Sequence, residues 1–436
     1  MKKISKFSAV AAIVLGVLSG TAVAAEGKLT VVTSFPKDLT KQFKTAFEKK
    51  HPGMQVEMLK KKTTAGIKYI QETADNNSSD LFWASAPDAF EVLKGDGLLE
   101  KYTSGAKGIP EKVGAYPLND PDGYYTGFAA AGYGIMWNTR YLKAKKLPVP
   151  AQWSDLTKPI YHGHVGMSAP SRSGTTHLTV ETLLQGDGWE KGWAKWKEIA
   201  GNFKTVTERS FGVPDGVNSG AFGVGIVIDF FGLSSKGSGF PVDFVYPQTT
   251  TLVPANIGVI KNAPNAKAAK AFIDFLLSDE GQVILLDKKI RRLPVNPKTY
   301  AKAPANFPNP FKDSSIGAAV KFDVQLSKAR YNLVNSMFDV MITYRMDDLR
   351  AATKAVQDAE AANGDKKLID EAKALIAAVP ITEAQAADPN FAKIFKKKRK
   401  KATDKVTGRQ AEVEQQWDDM VKANYAKAIV LANKAH

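Results

Sequence analysis

The stretch Lys28-Leu29-Thr30-Val31-Val32-Thr33-Ser34-Phe35-Pro36 decides the fold class once the residues after it are read with it. Its β-branched centre predicts a short strand, its Thr33-Ser34 end is polar, and Phe35-Pro36 breaks it. Residues 39–50 then carry Phe43 and Phe47 on one side of a helix. His51-Pro52-Gly53 stops that helix, and Met54-Gln55-Val56-Glu57-Met58 alternates as a second strand. Asp80-Leu81-Phe82-Trp83-Ala84-Ser85 is a third, again ending in small polar residues. Strand–helix–strand order predicts parallel strands joined by crossover helices, and so an α/β lobe.

Working outward, residues 127–138 form a small-residue extended run that suits a strand leaving one lobe for another. A second α/β region begins near Trp153, with a strand at 164–168, a loop at 169–175 and a helix from about Thr176. Strands at 203–207 and 225–229 follow, and Val245-Tyr246-Pro247 with residues 256–260 read as the return crossing. Residues 266–277 place Ala268, Ala271, Phe272, Phe275 and Leu276 on one helical stripe. From about Gln325 strand-like runs fade, and Leu333, Met337, Val340, Met341 and Tyr344 recur at helical spacing. The expected organisation is lobe one from 25–130 and 250–325, lobe two from 131–249, and a helical extension over 326–436. That extension is expected to pack on lobe one, with Pro380 and Pro389 dividing it.

Lys2, Lys3 and Lys6, an apolar run at 9–18, and Ala22-Val23-Ala24 follow the order of a secretory signal peptide. Residues 1–24 are therefore expected to be removed and the mature chain exported to the periplasm. The apolar run is shorter than the roughly 18 residues a membrane-spanning helix needs. The chain contains no cysteine, which rules out a disulfide framework, thiol catalysis and thiolate metal sites. Its 436 residues exceed one typical core and suit two lobes or more. The net charge of +16 points to nucleic acid, an anionic surface or a small anionic ligand. Export, and the lack of an RNA-binding or zinc-finger pattern, argue against nucleic acid. Part of the charge lies in Lys396-Lys397-Lys398-Arg399-Lys400-Lys401, which reads as a solvated segment or helix face.

The segment Ser168-Ala169-Pro170-Ser171-Arg172-Ser173-Gly174-Thr175-Thr176 follows a strand and opens a helix. The first N–H groups of a helix lack intrahelical acceptors and the macrodipole is positive there, which favours phosphate or carboxylate. Ser171, Ser173, Thr175 and Thr176 add hydroxyls, Gly174 allows close approach, and Arg172 offers a forked charged partner. A helix cap alone needs one such residue. Ligands of open α/β sheets sit beyond strand ends, which brings in Thr33, Ser34, Trp83 and Ser85 from lobe one. The same rule brings in Arg209 and Ser210 from lobe two. Trp83 could instead belong to the core. Asp229, ending the strand at 225–228, could accept from ligand hydroxyls or cap the next helix.

Catalytic readings find little support. Neither Ser171 nor Ser173 lies in a Gly-x-Ser-x-Gly elbow, and neither phosphate-loop glycine pattern is present. His162-Gly163-His164 lacks a third ligand nearby and is read as structural.

The run from Ser171 to Leu178, the pair Gly188-Trp189 and Gly192-Trp193, Arg209-Ser210-Phe211-Gly212-Val213, and Met337-Phe338-Asp339 resemble one family. It is the type II periplasmic solute-binding proteins, in the branch that includes ferric-ion, aminoethylphosphonate and sugar-phosphate binders. The phosphoglycerate transport regulatory subgroup is the nearest in likeness. The resemblance implies an α/β fold of two lobes around a hinge, closing on a ligand without chemistry or cofactor. It puts a phosphate-holding helix start on Ser173-Gly174-Thr175 and an acidic contact on Asp229. Ferric-ion binders carry adjacent tyrosines where this chain has Phe230 and Phe231, and phenylalanine cannot ligate iron. The implied partners are a small anionic, phosphorylated ligand and either an ABC permease or a membrane sensor kinase, with the binder acting as a monomer.

Overall fold

The computed structural model describes residues 27–395 and 406–436, apart from 115, 315 and 318. The expected signal peptide and the basic run at 396–401 lie outside the described residues. The first lobe opens with β1 (Gly27–Thr33), α1 (Lys37–Lys50), β2 (Met54–Lys60), α2 (Thr63–Glu72), β3 (Leu81–Ala84) and α3 (Pro87–Gly95). β1 pairs parallel with both β2 and β3, as crossover helices require.

β4 (Thr126–Asn138) is buried along its whole length and runs from the first lobe into the second. The second lobe adds β5 (Val165–Ser168), α4 (Gly174–Asp187), α5 (Trp189–Gly201), β6 (Phe203–Thr207), β7 (Val224–Ile228), α6 (Asp229–Gly237) and β8 (Val242–Val245). The chain then returns through β9 (Leu252–Ile260) to α7 (Ala266–Leu277). The sheet order is β2-β1-β3-β9-β4-β7-β5-β6, with β8 also on β4. β4 pairs antiparallel with β9 up to Gly132 and with β7 from Tyr133 onward, so one strand serves both halves. Its small residues have a packing reason. A Cβ on Gly134 would lie 2.1 Å from the Val245 carbonyl oxygen, and one on Gly132 would lie 2.8 Å from the Tyr246 ring.

Two apolar layers fill lobe one. On one face of the sheet Phe43, Phe47 and Trp83 pack with Phe128, Phe272 and Phe275. On the other, Val32, Ile67 and Phe82 pack with Phe90 and Tyr125. Both faces are therefore covered by the lobe's own helices.

Lobe two is covered by the C-terminal helices: α8 (Val324–Ala329), α9 (Tyr331–Phe338), α10 (Met346–Ala361), α11 (Lys366–Ala377) and α12 (Arg409–Ala435). Leu333, Met337, Val356, Trp417 and Tyr425 share one core with Trp153, Trp189, Trp193, Trp196 and Leu183. The expectation that the extension packs on lobe one is therefore corrected. α5 carries three tryptophans that the sheet alone cannot cover, and the extension covers them. Trp189 Nε1 donates to the Ile381 carbonyl at 3.0 Å, and Lys197 Nζ donates to the Ala378 carbonyl at 2.6 Å. Among the described residues of the extension, α8 packs along α3 of lobe one.

Candidate functional site

Between the lobes lies a cleft of about 120 Å³ at the C-terminal ends of β1, β2, β3 and β6. Among the described residues, six cations and no carboxylate line it: Lys60, Lys61, Lys62, Arg172, Arg209 and Arg292. Its size suits a ligand of few atoms rather than a drug-sized one. A larger groove of about 1060 Å³ runs behind the hinge along residues 243–248 and 304–308. Its described lining holds no buried polar side chain without a partner, so the chemistry is concentrated in the smaller cleft.

The lobe-two wall is the start of α4. Ser173 caps it, accepting from Thr176 N–H at 3.3 Å, with the Thr175 hydroxyl 2.8 Å away. Arg172 and Arg209 flank this start, and Lys62 faces them from the position that precedes α2. Burial lowers the Lys62 pKa first, and the like charges of Arg172 and Arg209 lower it further, with Glu208 opposing. Like charges held this close favour an anion among them.

Arg292 forms the floor. Its side chain is 1 % exposed, and its guanidinium carbon lies 3.6 Å from the Phe230 ring centre and 4.5 Å from that of Phe35. One Nη1 contact reaches the Ser85 hydroxyl at 3.4 Å. Nε and Nη2 are buried with no hydrogen-bond partner. Burial pulls its pKa down to about 9, with the nearby Asp229 carboxylate pulling the other way. It therefore stays charged at neutral pH, stacked between aromatic faces with two donors unspent.

Of the residues singled out from sequence, Ser34, Ser85, Arg172, Ser173, Thr175, Arg209 and Ser210 line this cleft. The others do not. Thr33 is buried and its hydroxyl accepts from Phe35 N–H at 3.1 Å. Trp83 is fully buried in the lobe-one core, edge-on to Phe35 and Phe43. Thr176 bonds to the Ser168 hydroxyl behind the helix start. The Ser171 hydroxyl is buried without a partner and lies away from the cleft.

Gly174 meets the other lobe rather than open space. A Cβ there would lie 2.8 Å from Ala86 Cβ and 3.2 Å from Thr63 Cγ2. Asp229 is fully buried and stitches the crossing segments, accepting from Gly132 N–H at 2.7 Å and Tyr246 O–H at 2.8 Å. Burial raises its pKa to about 6 against these donors. His164 is likewise occupied, its Nδ1 2.8 Å from the Tyr141 hydroxyl.

Sequence reading missed Lys60 to Lys62, Thr63 and Arg292. The strand-end rule that selected Ser34 and Ser85 applies equally to β2, whose end runs into Lys60-Lys61-Lys62. Arg292 sits in Lys288-Lys289-Ile290-Arg291-Arg292, which reads as a solvated basic run. Its one signal is the apolar Leu293-Pro294-Val295 that follows.

Residues 76–316 match the family model described as bacterial extracellular solute-binding protein. The phosphoglycerate transport regulatory protein PgtC of Salmonella typhimurium is 31% identical over 382 residues, which are 87% of this chain and 92% of that one. Among solved structures, the periplasmic binding protein AfuA from Actinobacillus pleuropneumoniae, with fructose-6-phosphate bound, superimposes with a TM-score of 0.64 at 22% identity. The match covers 72% of this chain and 98% of that one. The apo ferric ion-binding protein A of Pasteurella haemolytica gives 0.57 at 15% identity, covering 72% and 96%. These solved chains share the two-lobed fold and are matched almost in full, whereas much of this chain has no counterpart in them. With its two-lobed sheet, its cationic cleft and these likenesses, the chain belongs to the bacterial extracellular solute-binding proteins.

Proposed function

We propose that the cleft captures a small phosphorylated anion of the phosphoglycerate type in the periplasm and hands it, unaltered, to an inner-membrane ABC permease. Arg292 carries the reading. A charged group that is 1 % exposed, with two nitrogens lacking acceptors, costs stability unless a ligand supplies the oxygens. Lys62, Arg172, Arg209 and the α4 start make a second cationic pole, so the cleft suits a compact ligand with anionic groups at both ends. PgtC, a phosphoglycerate transport regulatory protein, and AfuA, solved with fructose-6-phosphate bound, agree with that chemistry. Phe230 and Phe231 offer no ligating atom, and a guanidinium already lies on Phe230, which disfavours ferric ion.

A second reading rests on the word regulatory in the name of PgtC. The loaded protein would then present its ligand to a membrane sensor kinase. Calorimetric titration of the full mature chain with 3-phosphoglycerate, glycerate and inorganic phosphate tests the ligand class. Tight binding of 3-phosphoglycerate, at least about tenfold above either fragment, is expected from two occupied poles. Equal, weak binding of all three would remove the two-pole reading, and turnover of any of them would remove the binding-only one. Ser173→Ala with Thr175→Ala should weaken 3-phosphoglycerate, and unchanged affinity would move its phosphate away from the α4 start.

A further inference from the structure

Two helices begin at the cleft, one from each lobe: α3 just beyond Ser85, and α4 at Ser173. Farther along, each carries a polar stripe on the face turned to the same short segment, residues 323–335. On α4 the stripe is His177, Glu181 and Gln185, spaced i, i+4, i+8. On α3 it is Asp88, Glu91 and Gly95.

The segment is rooted in lobe two. Arg330 makes a forked pair with Glu181 at 2.9 and 2.8 Å. Gln185 accepts from Asp323 N–H at 2.7 Å, and His177 Nδ1 lies 3.0 Å from Asn335 Oδ1. Leu333, Val334, Met337 and Phe338 continue this anchorage into the lobe-two core.

Toward lobe one the polar contacts fall on α3. The Ser327 hydroxyl donates to Asp88 at 3.2 Å and lies 3.1 Å from His177 Nε2, so one hydroxyl touches both lobes. Gln325 Nε2 donates to Glu91 at 2.8 Å. Lys328 Nζ stands 3.9 Å from Glu91 and covers Gly95, where a Cβ would come within 3.0 Å of it. Phe322 is buried in the lobe-one cluster beside Tyr116, ring centres 6.4 Å apart, and Val324 packs against that cluster.

Hydrogen bonds weaken steeply once distance or angle drifts, whereas the apolar anchorage on lobe two is broad and tolerant. A hinge motion that parts α3 from α4 therefore strains the hydrogen bonds to Asp88 and Glu91 before the broad anchorage of Leu333, Val334, Met337 and Phe338 in lobe two. We propose that residues 323–335 form a closure latch, fixed to lobe two and engaging α3 of lobe one when the cleft shuts. The latch rests on the cleft closing around a ligand and not on which ligand that is. Linkage makes the coupling reciprocal: latch engagement favours the binding-competent form, and ligand favours engagement.

The absence of cysteine allows a clean distance measurement on the full mature chain, with Glu72→Cys in lobe one and Lys204→Cys in lobe two carrying spin labels. Without ligand, Gln325→Ala with Ser327→Ala should shift and broaden the label distance toward longer values. Gln325→Glu, which sets a like charge against Glu91, should do the same. About tenfold more 3-phosphoglycerate should be needed to restore the short distance. If both variants keep the parent's distance distribution, the latch is wrong, whatever the ligand. If they differ from the parent but 3-phosphoglycerate moves neither, the ligand reading fails and the latch stands.

Discussion

Arg292 and Arg330 are each 1 % exposed, yet the protein satisfies them differently. Arg330 spends its fork on Glu181 and stacks 4.8 Å from the Trp189 ring, leaving only Nη1 without a partner. Arg292 also stacks on aromatic rings, but its one contact is a 3.4 Å reach to Ser85, and two of its nitrogens are unsatisfied. On the proposed function, the difference separates a cation that holds the fold from one kept for a ligand. A forked carboxylate pair marks the first, and stacking without one marks the second.

Breaking each cation in turn should give opposite results. Glu181→Gln leaves Arg330 charged and unpaired in the interior, which costs about 3–5 kcal/mol. Its melting temperature should fall by many degrees, and a fall within error would mean that the pair does not support the lobe. Arg292→Met should leave the melting temperature of the ligand-free protein equal or higher, since it removes a buried charge with two unsatisfied nitrogens. Its affinity for 3-phosphoglycerate should drop on the order of 100-fold. Should Arg292→Met melt far lower while binding normally, the contrast between the two arginines would be reversed.

Gly174 sharpens the contrast from the opposite wall. It lies in the family-like Ser-Gly-Thr segment, but its tightest neighbours are Ala86 and Thr63 of lobe one. Alanine there must push the lobes apart by a few tenths of an ångström at the point where they meet. Gly174→Ala should therefore weaken 3-phosphoglycerate by about tenfold with little change in ligand-free stability. An unchanged affinity would mean that the lobes close without touching there.

These residues also show what the sequence could carry. The α/β lobes, the crossing strand at 127–138 and the helix at 266–277 were legible because period and turn residues are local signals. The start of α4 was legible for the same reason, since strand, hydroxyl run and helix lie within ten residues of one another. Arg292 was not. Its meaning comes from Phe35, Phe230 and Ser85, residues far away in sequence that the fold brings together, and its neighbours Lys288, Lys289 and Arg291 disguise it as surface. Asp229 and Trp83 failed the other way. Both stand at strand ends, where ligands are expected, yet β4 and the Phe35–Phe43 layer claim them first. The placement of the extension was hidden because an amphipathic helix shows which face is apolar, not which partner covers it.

A third buried cation follows neither pattern. Lys197 is fully buried in α5, with one carbonyl acceptor, Ala378 O at 2.6 Å, and the Tyr425 ring 5.4 Å away. Among the described residues no carboxylate pairs with it, and burial lowers its pKa from the usual 10.5 to about 7. Its solution to burial is to shed the charge that Arg292 and Arg330 keep. Between pH 7 and 10.5 the unfolded chain holds this proton and the folded chain does not, so Lys197 contributes stability that rises with pH across that window. Below pH 7 both states are protonated and the full cost of the buried ammonium remains. Lys197→Met removes the titration while keeping most of the volume. The melting temperature of Lys197→Met minus that of the parent should therefore be largest at pH 6 and shrink by a few degrees toward pH 10. A gap that stays constant across that range would show that Lys197 does not titrate in the window, and would leave Arg292 as one unpaired buried cation among two.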